Sequence, residues 1–354
     1  MIEKSPLAPL FQRGEFVFVL LFALSYLFGA TQSADAQSLK KIRIASKGGG
    51  ETLLPYLIPQ RLGFYKDEGL DVDVIVTRGT VTTQVVVSGA VDYSNGGSIP
   101  AVLGGARLKI LLISTDKPAQ YLVSSAKISQ LTQLAGKTIA VSDASGNSTL
   151  ILRELLAKNG VGIESVQMRA LGEQSVRLGA LLGGAVDATL VSYGAAQHAQ
   201  TKGFRILAYS GDYVSSLSAN LETTDDKIQN SPDEVYRVVK ATLKGQLFFH
   251  RNANEATKFV MEVLRLAHVN EAMEFWTERT KQASELAKIG RASDEALATN
   301  IDRVRDQMKM VGASSRIKDK LTLDQVYDFS FVKKAYEEIR AGKWDPMRYA
   351  YIKR

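Results

Sequence analysis

The sequence predicts an α/β protein of two lobes with a hinge between them and a helical C-terminal region. Three observations lead there. Ser88-Gly89-Ala90-Val91-Asp92 recurs 95 residues later as Gly183-Gly184-Ala185-Val186-Asp187, each time after an apolar helical stretch and before a short strand. The surroundings repeat as well: Lys41-Ile42-Arg43-Ile44-Ala45-Ser46 lines up with Lys137-Thr138-Ile139-Ala140-Val141-Ser142, and Arg61-Leu62-Gly63-Phe64 more loosely with Ala157-Lys158-Asn159-Gly160. Such a period exceeds that of a solenoid unit, so each copy reads as a whole strand-helix-strand-helix-strand lobe, and two lobes imply a cleft. Beyond about residue 214 the pattern becomes helical.

In the first lobe, Ile42 to Ser46 reads as a buried strand that runs through Gly48-Gly49-Gly50 into a helix from about Thr52 to Leu62. Pro55 suits its first turn, whereas Pro59 removes a donor and predicts a kink or a short helix. Asp71 to Val76 starts with a period-2 alternation and predicts a strand. Thr80 caps a helix through Val87, Val91 to Ser94 is a third strand, Ser98 caps a short helix, and Leu108 to Ile113 is a fourth strand. The second lobe repeats the order: strand Lys137 to Ser142, helix Asn147 to Lys158, strand Ile163 to Arg169, helix Glu173 to Leu182, strand Val186 to Ser192. Strands alternating with helices imply parallel sheets with right-handed crossovers, and ligands outside the carboxyl ends of the strands. Ser114 to Ala119 and Tyr209 to Val214 are the expected hinge crossings. Ser231-Pro232-Asp233-Glu234 and Thr322-Leu323-Asp324-Gln325 read as capping boxes. Helices at about 232–250, 254–267, 271–287, 293–310 and 323–341 are expected to pack back on lobe one.

The N-terminus differs from the rest. Phe16 to Ala30 is an almost uninterrupted apolar run, followed by Ala34-Asp35-Ala36 in the small-x-small form of a signal-peptidase site, which predicts a signal peptide over 1–36 and a mature start at Gln37. A retained anchor is the alternative, although a membrane span needs ~20 apolar residues. Glu3 and Glu15 beside Lys4 and Arg13 make an untidy leader. The absence of cysteine excludes disulfides, thiolate metal sites and a lipid-modified cysteine. Removing 1–36 moves the formal charge from +7 to +8. Basic residues alternate with acidic ones along the C-terminal helices, without the basic and aromatic interleaving of a nucleic-acid groove, so nucleic acid is not an expected partner.

Candidate ligand contacts cluster at loops that follow strands. Ser145-Gly146-Asn147-Ser148-Thr149 offers free N–H groups, hydroxyls and an amide at a helix start, which can hold an oxyanion; Ser145 or Asn147 as a plain helix cap is the alternative. Gly49 and Thr52, with Gly48 and Gly50, would let a ligand approach the main chain, or form a loop without a ligand. Thr80 stands before another helix. Ser94, Asn95 and Ser98 follow the third strand of lobe one, and Ser192 and Tyr193 that of lobe two, so matched positions suggest opposing walls of one pocket; turn chemistry explains them equally. Asp116 and Asp212 could pair with a cationic ligand or stand exposed at the hinge.

The residues resemble a known family, the periplasmic solute-binding proteins of ABC importers of the sulfonate, taurine, nitrate and pyrimidine-precursor type. The resemblance rests on Leu62-Gly63-Phe64-Tyr65-Lys66-Asp67-Glu68-Gly69-Leu70-Asp71-Val72, on Ser88 to Tyr93, on Leu134 to Val141, on Gly183 to Ala188, and on Ser231 to Val235. Gly69 sits where a turn needs positive φ, and Phe64 and Tyr65 are expected to cover the sheet edge. Pro59 and the triple glycine depart from the family's pattern. The resemblance implies a type II periplasmic-binding-protein-like fold: lobe one begins over 37–117, lobe two covers 118–213, and 214–354 returns to lobe one and the C-terminal helices. It also implies a monomeric periplasmic receptor that delivers a small polar or anionic organic solute to an ABC permease and ATPase by cleft closure. No enzyme activity, cofactor or metal is expected: His198, His250 and His268 lie on separate helical segments without metal-ligand spacing, and no catalytic motif stands out. The alternatives are an enzyme on the same fold, with pyrimidine-precursor or chorismate-type chemistry, and a ligand-sensing module for a membrane sensor.

Overall fold

A computed structural model describes residues 38–77, 81–142, 147–310, 318 and 320–353, with only the backbone described for Asn147, Ala219, Asn220 and Met310. The expected signal peptide, Arg78-Gly79-Thr80 and Ser145-Gly146 lie outside the described residues. Ten strands are described: β1 (Lys40–Lys47), β2 (Leu70–Thr77), β3 (Tyr93–Ser94), β4 (Leu108–Thr115), β5 (Tyr121–Ser124), β6 (Thr138–Val141), β7 (Gln167–Ala170), β8 (Ala188–Val191), β9 (Arg205–Tyr209) and β10 (Ser218–Thr224). The helices that build the layers are α1 (Leu54–Arg61), α2 (Val81–Val87), α3 (Ile99–Leu103), α4 (Asn147–Lys158), α5 (Gln174–Leu182), α6 (Tyr193–Thr201), α7 (Pro232–Arg251), α8 (Ala253–Leu264), α9 (Val269–Lys281), α10 (Asp294–Met310) and α11 (Ser330–Ala341).

The strands form two five-stranded sheets, ordered β2-β1-β3-β10-β4 and β7-β6-β8-β5-β9. The two orders are the same topology. Neither sheet is wholly parallel, contrary to the alternating pattern read from the sequence: β5 runs antiparallel between β8 and β9, and β10 antiparallel between β3 and β4. Each is the first strand after a passage of the chain from one sheet to the other, so it enters the new sheet from the opposite end.

Hydrogen bonds make the repeat physical. Asp92 Oδ2 accepts from Arg43 N at 2.8 Å while Asp92 N donates to Arg43 O; Asp187 Oδ2 accepts from Thr138 N at 2.9 Å while Asp187 N donates to Thr138 O. The aspartates thus lock the turn before β3 to β1, and the turn before β8 to β6. Gly89 and Gly184 supply φ of 72° and 74° in these turns, which a side chain resists. Ile44 pairs with Tyr93 and Ile139 with Ala188, so the true offset is 95 and the alignment of Lys41 with Lys137 is one residue out of register. A one-residue slip would exchange the two faces of the strand.

Both faces of each sheet are covered. Ile42 and Ile44 pack into a core with Val235, Val239 and Phe248 of α7, whereas Ala45, Ile110 and Ile113 face a second core with Val102 of α3 and Leu297 of α10. In sheet two, Ile139 and Val141 meet Ile151 and Leu155 of α4, and Ala140 meets Leu181 of α5 and Ala196 of α6. The C-terminal helices therefore pack on sheet one, as the amphipathic pattern of α7 requires. Phe64 and Tyr65 are buried in that core, with Tyr65 Oη and Thr242 Oγ1 3.0 Å apart, so they do not merely cover an edge.

Local corrections have local causes. The first helix divides into a 3-10 turn, Gly50–Leu53, and α1, whose eight residues accommodate Pro59. The strand expected from Ile163 starts as a 3-10 turn, Ile163–Ser165, before β7. Ser231 makes no side-chain cap, because Glu234 is drawn into the interior, where its Oε1 meets Lys227 Nζ at 2.6 Å and accepts from Tyr93 Oη at 3.0 Å. The box at Thr322 and Gln325 forms, although the helix it opens, Leu323–Val326, is separate from α11.

Helices α1 and α7 cross where Pro59 faces Gly245, and a Cβ at Gly245 would lie 2.5 Å from Pro59 Cδ. Gly245→Ala should cost about 1–3 kcal/mol of stability through overpacking, read as a lower urea midpoint with unchanged slope. Near the end of α7, burial and the nearby Lys288, Arg279 and Arg251 hold the His250 imidazole down at about 3, from 6.5. Between those values the unfolded chain binds a proton that the folded chain does not, so this contribution is complete above about pH 6.5 and lost as pH falls toward 3. Replacing His250 with Asn should flatten the fall in urea midpoint between pH ~6.5 and ~5, above the range where carboxylates titrate.

Candidate functional site

The loops at the carboxyl ends of β1 and β3 are tied together by their own polar side chains. Thr52 Oγ1 donates to Gly48 O at 2.8 Å, with Gly49 O at 3.1 Å, and so closes the triple-glycine turn in which Gly48 and Gly50 have φ of 93° and 62°. Asn95 Oδ1 accepts from Lys47 N at 2.6 Å, continuing the β1–β3 pairing beyond the strands. Behind them lies Glu222 of β10, fully buried, which accepts from Ser94 Oγ at 2.7 Å and Ser98 N at 3.0 Å. A Cβ at Gly96 would stand 2.5 Å from Thr83 Oγ1 and 3.1 Å from Glu222 Oε1, so only glycine fits between α2 and that carboxylate.

These loops wall a cavity of about 280 Å³. Thr52, Asn95, Gly96 and Gly97 line it from the loops, Ser114 and Ser218 from β4 and β10, and Lys47 and Arg279 contribute positive charge. Among the described residues no carboxylate lines it. Arg279 comes from α9, far along the chain, and also lines two neighbouring spaces: a small recess between α1 and α7, and a cavity of about 260 Å³ bordered by Lys117, Gln120 and Ile151. Its guanidinium is half-buried and donates from Nη1 to Gln282 Oε1 at 3.1 Å. Among the described residues no carboxylate forms an ion pair with it. Burial draws its pKa down from the ordinary arginine value, while the exposed Glu51 carboxylate acts in the opposite sense. An arginine keeps its charge in such surroundings and presents several donors in a fixed plane, suited to an oxyanion.

The sequence-predicted residues divide between this cavity and other places. Thr52 and Asn95 line it, and the exposed Gly49 belongs to the same loop. Ser94 and Ser98 are buried behind it on Glu222; Ser98 is already helical in backbone and makes no side-chain cap, so the reading of Ser98 as a cap is wrong. Ser148 is buried in lobe two, where its Oγ lies 2.7 Å from Ser142 Oγ, and Thr149 is fully buried beside it. Asn147 begins α4, while Ser145 and Thr80 lie outside the described residues. Ser192 is exposed and exchanges hydrogen bonds with Gln174. Tyr193 is not among the described residues that line this cavity; its ring lies 5.4 Å from that of Tyr121, and Gln197 donates to its hydroxyl. Asp212 is exposed in a 3-10 turn, and Asp116 accepts from Ser284 N at 2.8 Å, so it anchors the C-terminal helices.

Arg279 was invisible to sequence reasoning. Thr277-Glu278-Arg279-Thr280-Lys281 reads as a solvated helix face, and only the fold brings it to loops more than 180 residues earlier. Its neighbours fix α9 to sheet two: Tyr121 Oη donates to Glu278, and Lys281 Nζ stands 4.4 Å from the centre of the Tyr209 ring and 5.3 Å from that of Tyr121.

Comparison with known proteins places this geometry in a family. A search of curated proteins finds no match. Among solved structures the chain is similar to one described as the periplasmic sulfonate-binding protein SsuA of Methylobacillus flagellatus KT, at 16% identity and TM-score 0.66, covering 89% of this chain and 99% of that one. It is similar to the periplasmic aliphatic sulphonate binding protein SsuA of Escherichia coli, at 15% and 0.58, covering 81% and 91%. The desulfurization enzyme DSZB shares the fold too, at 16% and 0.58, covering 84% and 99%. At such identities the likeness shows the fold, the two-lobed α/β architecture of periplasmic binding proteins. The profile of the NMT1/THI5 like family matches residues 52–256, more than half of the sequence, from the loop beside the cavity through both sheets and into α8. The chain belongs to the NMT1/THI5-like family.

Proposed function

We propose that this chain is a solute-binding receptor that takes a small organic oxyanion into the cavity between the β1 and β3 loops and Arg279, for delivery to an ABC-type importer. One observation carries the choice of ligand charge: among the described residues the cavity is lined by two cations, hydroxyls and an amide, with no carboxylate. Arg279 supplies paired donors and Lys47 a second positive charge at the exposed end of β1. Thr52 and Asn95 are spent on fixing their loops, so they shape the wall more than they bind.

The transport role is supported by the family and by a fold shared with proteins named as periplasmic binding components. The permease and ATPase, the periplasmic address and the monomeric state belong to the same proposal. No helix among the described residues is long and apolar enough to cross a membrane. The binding reading is preferred to an enzymatic one because the groups that line the cavity with free donors are cations, which hold an anion without an adjacent nucleophile and base. Native mass spectrometry of the purified protein should show a bound small acid, recovered chemically unchanged after prolonged incubation; sustained turnover of that acid would reject the receptor reading.

Arg279→Ala should weaken binding of simple sulfonates or carboxylates by ~30-fold or more in titration calorimetry, in keeping with loss of a charge-assisted pair. Glu51→Gln removes the negative charge that faces Arg279 and should strengthen binding of the same anions about three- to tenfold, an effect that shrinks as salt is raised.

A further inference from the structure

The recess between α1 and α7 has a different character from the cavity it adjoins. The two spaces share Pro55, Ser114 and Arg279. Beyond these, Leu54 and Ile58 of α1 and Phe249 of α7 present buried apolar faces, and Gly245 adds no side chain. The polar groups on its α7 side carry no free charge. Gln246 Nε2 is already committed to Ile113 O at 3.0 Å and Ala287 O at 2.6 Å, and His250 is neutral at ordinary pH. Glu51 lines the same recess but is exposed. A guanidinium therefore stands where a polar, cationic chamber meets an apolar one.

We propose that this recess receives the apolar tail of the anion held by Arg279 and restricts the ligand to a short chain. Its volume is about 40 Å³. A single water requires ~10–15 Å³ measured in the same way, so the recess holds a few non-hydrogen atoms, a tail of about two to four carbons. Head and tail are then read by separate walls: Arg279 and Lys47 select the charge, while Leu54, Ile58 and Phe249 select length. Pro59 packed on Gly245 fixes the spacing of α1 and α7, and with it the depth of the recess. The inference rests on the anion-receptor reading but concerns a different set of side chains.

Titration calorimetry with linear n-alkanesulfonates of one to eight carbons tests it. Affinity should rise about fourfold for each methylene as it leaves water, stop at about three or four carbons, and then level or fall. Ile58→Ala should move that limit one or two carbons further while methanesulfonate binds as before; Phe249→Leu serves the same purpose if the first variant does not fold. A rise that continues to eight carbons, or a limit unmoved in a folded variant that still binds methanesulfonate, would overturn the recess and leave the anion receptor standing. Failure of every member of the series to bind the unmodified protein would overturn both.

Discussion

The chain passes from sheet one to sheet two and back again, and the return passage determines what surrounds the cavity. β10 enters sheet one antiparallel between β3 and β4, and its Glu222 reaches the end of β3 and the loop that follows it. A buried carboxylate is costly unless its lone pairs are used. Here a serine hydroxyl and a backbone N–H use them, and in return the Ser94–Ser98 segment has one position. Gly96 completes the arrangement, since any side chain would have to displace Thr83 or the carboxylate. The loop that walls the cavity is thus held by a strand more than 120 residues away in sequence.

The same return brings the helices that close lobe one. α7 lies along sheet one with nearly all of one side buried, α8 and α11 pack beside it, and α9 follows to place Arg279 at the meeting point of three spaces. A half-buried guanidinium with no carboxylate partner among the described residues is unfavourable for stability alone, because desolvation is incompletely offset. Glu51 lessens that cost through space without occupying the donors. In the proposed receptor, the donors other than the one given to Gln282 would meet an anion that arrives from solvent, which is the physical content of a preorganised site.

Much of the fold was legible in the sequence because it rests on short-range rules. The repeated Gly-Ala-Val-Asp turns announced the duplication, and each aspartate does bond the neighbouring strand. Asn147 to Lys158 and about 232–250 read as helices from the sequence, and the structure forms them over Asn147–Lys158 and Pro232–Arg251. β5, β9 and β10 have no clear sequence signal: β5 is four residues long and begins just past the crossing read at Ser114 to Ala119, and Leu-Glu-Thr-Thr within β10 has no clean alternation, its Glu222 being buried by partners that only the fold supplies. The candidate site was legible in part. Thr52 and Asn95 line the cavity because loops at strand ends border it, whereas Ser148, Thr149 and Ser98 are buried, a placement that their hydroxyl chemistry does not signal in the sequence. Arg279 had no local signature.

Helix α9 brings these threads to one element. Trp276 Nε1 donates to Phe249 O at 2.6 Å and so attaches the helix to α7 in lobe one. Two residues on, Glu278 accepts from Tyr121 in sheet two, and Lys281 lies over Tyr209, whose phenol is pushed up by burial and by the Glu278 carboxylate. Gly211 permits this, because a Cβ there would meet the Tyr209 ring at 2.5 Å. Residues three apart share a helix face, so Trp276 and Arg279 point toward lobe one and its cavity, while Glu278 and Lys281 form the neighbouring face toward the tyrosines. The helix segment that carries Arg279 is therefore fixed between a core contact on one side and a charged aromatic contact on the other. In the proposed receptor, a helix anchored in this way and the bond from Arg279 to Gln282 would lower the ordering entropy that ligand binding costs.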